Sequence, residues 1–329
     1  MAIIAAEIKE YKAVTNVDGA SNGGRMSSNE LTSGVRNNLF PNVTEAERTS
    51  GVTRWRKMFA KVANDDDLTL MNTYVHLTHT TAADDYVSIV EGTASNIYSD
   101  LSSPREYGVG VLASNITASD TSCTVTIENT ALSVFNTASA DNIIWVGDGT
   151  NNEYFTSVTA GKSGTTITLT LNAGDSFANS YTAATPTYVA SCIDVGDIEC
   201  AVSSWTETST SGTYNESTYP LEMDNIGTVY DTWTLTFSSA TNFSVSGTNT
   251  GSVGSGNISG SFAPNNADFT KPYFTINASG WGGTWASGET ITFTTSPASQ
   301  GIWIKKVVPA ASSSYSGNSF TIRTIGESA

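Results

Sequence analysis

The chain has 329 residues, 15 Lys and Arg against 31 Asp and Glu, and a formal net charge of −16. So acidic a surface repels phosphate, which argues against nucleic acid as a partner of the whole protein. Only 39% of residues are hydrophobic and 14% charged, yet 10% are aromatic, too many for a chain that never packs.

The remainder is rich in Ser, Thr, Asn and Gly, residues that suit strands with polar outer faces and the turns between them. The expected fold is mainly β and multi-domain, with β-sandwich, Ig-like or small-barrel domains after a loop-rich N-terminal region with short helices. The start, "MAIIAAEIKEYKAV", has too short an apolar run for a signal peptide or a membrane span. "SNGGRMSSNELTSG" and "NVTEAERTSG" read as short helical turns: Thr44 with Glu47 fits a capping box closed by Gly51, and Ser27 with Glu30 gives a weaker one. "TRWRKMFAKVAN", "DLTLMNTYVHLTH" and "DDYVSIVEGT" read as strands, with "NDDD" as a polar turn. Residues 1–107 are thus expected to form a mixed β and loop region used in assembly.

From Gly108, "CTVTIEN", "NIIWVGD", "EYFTSVTAG" and "TTITLTLN" alternate apolar and polar residues between Gly, Asn and Asp. They predict an inserted or projecting β-domain over 108–193. Seven further candidate strands, from "DIECAVSSW" to "GIWIKKVVPA" and "SFTIRTIG", predict a C-terminal β-sandwich over 194–329. The Gly/Ser-rich "TNTGSVGSGNISG" reads as a hairpin tip within it.

No constellation of residues announces a chemistry. Cys123, Cys192 and Cys200 are an odd number without regular spacing, which is no disulfide framework and fits buried thiols in a reducing cytoplasm. His76 and His79 fall on a predicted strand, where positions three apart point to opposite faces, so no metal site is expected. The acidic runs Asp65–Asp67 and Asp84–Asp85 lack calcium-loop spacing and read as solvated turns. No nucleophile elbow, phosphate loop or dinucleotide fingerprint is present. The expectation is a non-enzymatic protein with no catalytic, cofactor-binding or metal residues. Trp281 and Trp285 in "SGWGGTWASG" are weak candidates for ligand contact through sugar stacking, set against a role in anchoring a Gly-rich turn.

The segment "GVTRWRKMFAK" gathers Arg54, Arg56, Lys57 and Lys61 in an acidic protein. As a strand it puts Arg54 and Arg56 on one side and Lys57, Phe59 and Lys61 on the other. These four are the candidates for subunit contacts, their long stems covering apolar surface while their charges reach carboxylates of a neighbouring chain or of the same protomer.

The string from "NGGRMSSNELTSG" through "TRWRKMFAKVANDDDLTLMN", together with "FAPNNADFTKPYFTI" and "FTTSPASQGIWIKKVVPA", resembles virion structural proteins of tailed bacteriophages, especially Mu-like and related contractile-tailed phages. The middle segment, with "TVTIENTAL" and "FTSVTAGKSGTTITLTL", is similar to the β-domain often set between those ends. The resemblance spans most of the chain and carries no catalytic residues. It implies a virion subunit assembled in the bacterial host cytoplasm, forming a ring-shaped homo-oligomer in the neck or collar at the head–tail junction. The partners it implies are further copies of itself and portal, connector or tail proteins, with no membrane. A tail, baseplate or capsid-surface decoration protein, or a receptor- or glycan-binding phage protein, is the alternative.

Overall fold

Strand Val52–Val62 is buried on both faces from Arg56 onward, and the sheet around it organises the molecule. In the computed structural model, which describes residues 2–329, this strand lies at the centre of a five-stranded antiparallel sheet. The order is Gly23–Glu30, Ile8–Thr15, Val52–Val62, Ser299–Val308, Tyr86–Glu91. The central pair is in register from Val52 opposite Val308 to Lys61 opposite Ser299. A three-stranded sheet of Ile193–Ile198, Leu70–Leu77 and Ile322–Ser328 covers one face. Met58, Ala60, Ile89, Ile302 and Ile304 of the large sheet meet Val75, Leu77 and Ile193 of the small one in a single buried cluster. The Val, Leu, Ile and Met side chains among them each contribute about 1.5–3 kcal/mol when fully buried.

This base domain contains both ends of the described chain. The strand pairing therefore draws the domains differently from the expected 1–107, 108–193 and 194–329. Strands Ser299–Val308 and Ile322–Ser328 leave the C-terminal unit and return to pair with Val52–Val62 and Leu70–Leu77. Alternation predicts a strand but not its partner, so the sequence pattern could not place them.

The first insertion is a closed six-stranded antiparallel barrel, with neighbours Val109–Leu112, Ser122–Thr126, Thr166–Thr170, Asn152–Ser163, Asn142–Gly147 and Tyr188–Ser191 in order around it. Val125, Ile144, Val146, Val158, Ile167, Leu169 and Val189 fill its interior. The threonines of Thr166–Thr170 point outward between them.

The second insertion carries a five-stranded sheet in the order Ala201–Thr208, Thr290–Ser296, Asp231–Phe237, Asn242–Gly247, Gly251–Asn257. Trp233, Phe237, Phe243 and Phe293 line its inner face. The opposing layer consists of two short ladders, Thr213–Tyr214 with Trp281–Gly282 and Asn265–Asn266 with Lys271–Pro272, and their loops. Of the expected hairpin tip at residues 248–260, only 248–250 form the turn; Gly251–Asn257 is the hairpin's second strand and the edge of the sheet.

The protein is mainly β, as its composition predicts. Glu45–Ser50 is the expected short helix: the Thr44 hydroxyl accepts from the Glu47 N–H, the Glu47 carboxylate accepts from the Thr44 N–H, and Gly51 ends the turn at φ 79°. The predicted helical turn at Ser27–Glu30 is a strand, paired with Ile8–Thr15. Among the described residues no helix is long and apolar enough to cross a membrane.

Candidate functional site

The basic strand is used inside the protomer. Arg56 donates to Asp18 Oδ1 at 2.6 Å and to the Val17 carbonyl at 3.1 Å. Arg54 pairs with Glu47 and lies 3.6 Å from the other Asp18 oxygen. The hydrogen bond from Arg56 holds the Asp18 carboxyl below the usual range. On the opposite face Lys57 Nζ donates to the carbonyls of Gly24 and Asn96 at 2.8 and 2.9 Å, above the rings of Phe59 and Trp303. Lys61 Nζ donates to the Ile226 carbonyl of the second insertion and stands 4.2 Å from the Phe269 ring centroid. Burial pushes Lys57 down to about 7 and Lys61 down to about 8.

Arg56 is 3% exposed, and Lys57 and Lys61 are fully buried. Of the two partners expected for Arg54, Arg56, Lys57 and Lys61, a neighbouring chain or the same protomer, the structure shows the second, with backbone carbonyls in place of carboxylates for the two lysines. They are held by carbonyls, carboxylates and rings of their own protomer, because the strand is covered on both faces. Lys61 instead fixes the second insertion to the base, alongside Asp67 Oδ1, which accepts from Asn225 N at 2.7 Å, and Asp65, which pairs with Lys271 at 2.8 Å. The acidic run read as a solvated turn is thus part of an interdomain joint.

Of the two roles weighed for Trp281 and Trp285, ligand contact and anchoring of a Gly-rich turn, the packing matches anchoring. Trp285 is 2% exposed and stacks on Phe237 with ring centroids 4.1 Å apart. Trp281 packs edge-on against Tyr214 at 4.8 Å. Both belong to the aromatic core of the second insertion. His76 is buried between base and barrel, whereas His79 lies nearer the surface with Thr321 Oγ1 at 3.2 Å from Nε2. The three cysteines are free thiols, and burial raises all three above the usual range. Among the described residues no group of three or more His, Cys, Asp or Glu could hold a metal ion.

The open feature is a cleft of about 750 Å³ on the base domain, between the loop at 31–43 and the loop at 312–321. Its wall is built from the pair Asp84–Asp85. Asp85 pairs with Lys306 at 2.8 Å and accepts from Asn318 Nδ2 at 2.6 Å, while Asp84 accepts from Ser313 N at 2.7 Å. These bonds tie the C-terminal loop to the start of Tyr86–Glu91. Leu31, Phe40, Met58 and Phe320 give the cleft an apolar lining, and Phe40 meets Phe320 edge-on at 6.2 Å. Sequence reasoning missed it. Its signal was two long stretches without regular structure, residues 31–44 and 309–321, uncommon in compact domains unless they have a role. An apolar floor with polar rims suits capture of a protein segment better than acid–base chemistry, since the carboxylates of Asp84 and Asp85 are already committed to their own loop.

The chain matches no family model, no curated protein and no solved structure.

Proposed function

We propose that this protein is a non-enzymatic structural subunit of a tailed-phage virion that assembles as a symmetric ring at the neck or collar. The observation that carries the reading is the pairing of Val52–Val62 with Ser299–Val308. The strings "TRWRKMFAK" and "GIWIKKVV", far apart in sequence, carry the resemblance to virion proteins, and they are adjacent strands of one sheet. Two of the segments that carry the resemblance thus meet in one structural unit, from which the two β insertions, carrying the other segments, extend. A durable base with β-domains set into it suits a particle component, and the long loops on the base offer surface for neighbours.

The test is mass spectrometry and side-chain-resolution reconstruction of purified particles, with native mass spectrometry of the full chain. The expected result is a closed ring of fixed copy number at the head–tail junction. A protein missing from particles overturns the reading, and a position on the tail, baseplate or capsid surface overturns the neck assignment.

A further inference from the structure

We infer that the cleft between the loops at 31–43 and 312–321 is the docking site for a second copy of this chain, which enters it with the carboxylates of its second insertion. The inference rests on the ring-forming role proposed above and names the contact that builds the ring.

Charge bookkeeping leads to it. Of the 15 Lys and Arg residues, most are committed within the protomer to carboxylates or carbonyl oxygens. Among the described residues only Lys12, Arg25, Arg36, Arg48 and Arg323 make neither an ion pair nor a side-chain hydrogen bond. Arg36 and Arg48 both line the cleft. The lining also holds Glu10, Asp84 and Asp85; Asp85 is paired with Lys306 and Asp84 accepts from Ser313 N, which leaves Arg36 and Arg48 open beside the apolar floor to a carboxylate-bearing partner.

Two of the large exposed apolar side chains belong to the same place. Val35 and Tyr315, at 53% and 55% exposure, stand on the rim of the cleft. Val17, at 48%, is close by, since Asn16 Nδ2 reaches the Leu39 carbonyl of the same loop. Large apolar groups clustered around a groove mark an interaction surface.

The complementary surface is on the same chain. Between Glu199 and Ala298 there are eight acidic residues and one basic residue, Lys271. Most of these carboxylates have internal tasks: Asp231 holds the backbone of Asn249 and Thr250, Glu289 that of Thr210 and Ala286, Glu207 that of Tyr214, and Asp224 that of Ile226 and Gly227. Glu216, Glu222 and Asp268 are exposed and have no ion pair or side-chain hydrogen bond. Glu216 and Glu222 lie six residues apart in the loop that follows Thr213–Tyr214. Cleft and acidic patch are different surfaces of one molecule, so their contact is head-to-tail, and such contacts close into rings or run on as filaments.

The test compares the full-length chain with Arg36→Glu/Arg48→Glu, with Glu216→Lys/Glu222→Lys, and with the quadruple variant that carries both. Assembly is read by light scattering and native mass spectrometry at low and high salt, and folding by circular dichroism. Each double variant is expected to weaken self-association by about tenfold or more while remaining folded, with the difference shrinking as salt rises. The quadruple variant is expected to recover assembly. Tyr315→Ala, which changes no charge, is expected to weaken assembly at both salt concentrations. Wild-type association in all variants overturns the cleft as the site. Loss of assembly only in the cleft variant, without rescue, overturns the second copy as occupant and assigns the cleft to another protein. In either case the ring can stand without this contact. A wild-type chain that stays monomeric at every concentration overturns both the contact and the ring.

Discussion

The imidazole of His76 lies against the indole of Trp145, with ring centroids 4.7 Å apart and planes 27° from parallel. His76 belongs to base strand Leu70–Leu77 and Trp145 to barrel strand Asn142–Gly147, so this stack joins the two domains. Nδ1 lies 3.0 Å from the Leu77 carbonyl, which can only accept, so that nitrogen carries the proton. Nε2 then accepts from the Tyr154 hydroxyl at 3.1 Å. The arrangement needs a neutral ring, and burial holds His76 at about 4 against an ordinary 6.5.

The first prediction is acid lability at this joint. Between pH 6.5 and 4 the unfolded chain binds a proton that folded His76 refuses. Stability therefore falls as pH is lowered through that window, by about 3 kcal/mol at its end. Glu128, raised to about 7 by burial, acts in the opposite direction between pH 7 and 4.5, because its protonated form suits the fold. Comparison with His76→Gln separates the two. In urea titrations at pH 7 and pH 5 the wild type should lose more stability on acidification than the variant, by about 2 kcal/mol. Equal losses would remove His76 from the account.

Lys57 gives a prediction on the alkaline side. Its folded value of about 7 lies below the ordinary 10.5, so the folded protein releases a proton that the unfolded chain keeps. Stability rises with pH from 7 towards 10.5, and Lys61, shifted the same way, adds to the rise. Lys57→Met should lose Lys57's share: its gain between pH 7 and pH 9 should be smaller than that of the wild type by about 2 kcal/mol. At pH 9 the variant should also be the less stable protein, because the Gly24 and Asn96 carbonyls lose a donor. An unchanged pH profile would show that Lys57 keeps its charge throughout.

What the sequence made legible was local. The alternation in Ser122–Thr126 and Thr166–Thr170 reports a barrel interior because every second residue must leave water. The Thr44 cap was visible because its partners lie within three residues. The fate of Lys57 was hidden, because its partners are backbone carbonyls at Gly24 and Asn96 and no side-chain pattern encodes a carbonyl's direction. For Trp281 and Trp285 the sequence left a sugar platform open beside the anchoring role; the structure shows Gly280 close against the Tyr214 ring and Gly212 against the Trp285 indole, contacts that no local pattern encodes. The cleft was invisible for a different reason: its two walls are loops nearly 300 residues apart, brought together by the pairing of Ser299–Val308 with Val52–Val62.

Gly23 is a position where the base tolerates no side chain. Its φ is +101°, and a Cβ there would stand 2.5 Å from Cη2 of the buried Trp303. Gly23→Ala combines backbone strain with overpacking and should cost about 2–4 kcal/mol, read as a lower urea midpoint. Gly19 serves as the control, since its φ is also positive, at +136°, but nothing lies within 4 Å of a Cβ. Gly19→Ala should show the strain alone and cost less. Equal costs at the two positions would mean that Trp303 moves aside freely.

Trp285 tests the aromatic core of the second insertion. The ring lies parallel to Phe237, 4° from coplanar, and its Nε1 is buried without a hydrogen-bond partner. Trp285→Ala should lose about 3–5 kcal/mol, the range for deleting a buried aromatic. Trp285→Phe should recover most of that, because it keeps a ring on Phe237 and removes an N–H that has no acceptor. Thermal unfolding of the full chain, followed by circular dichroism, should therefore rank wild type near Trp285→Phe and both well above Trp285→Ala. If Trp285→Ala unfolded at the wild-type temperature, the indole would be dispensable to packing, and a surface role would be open to it again.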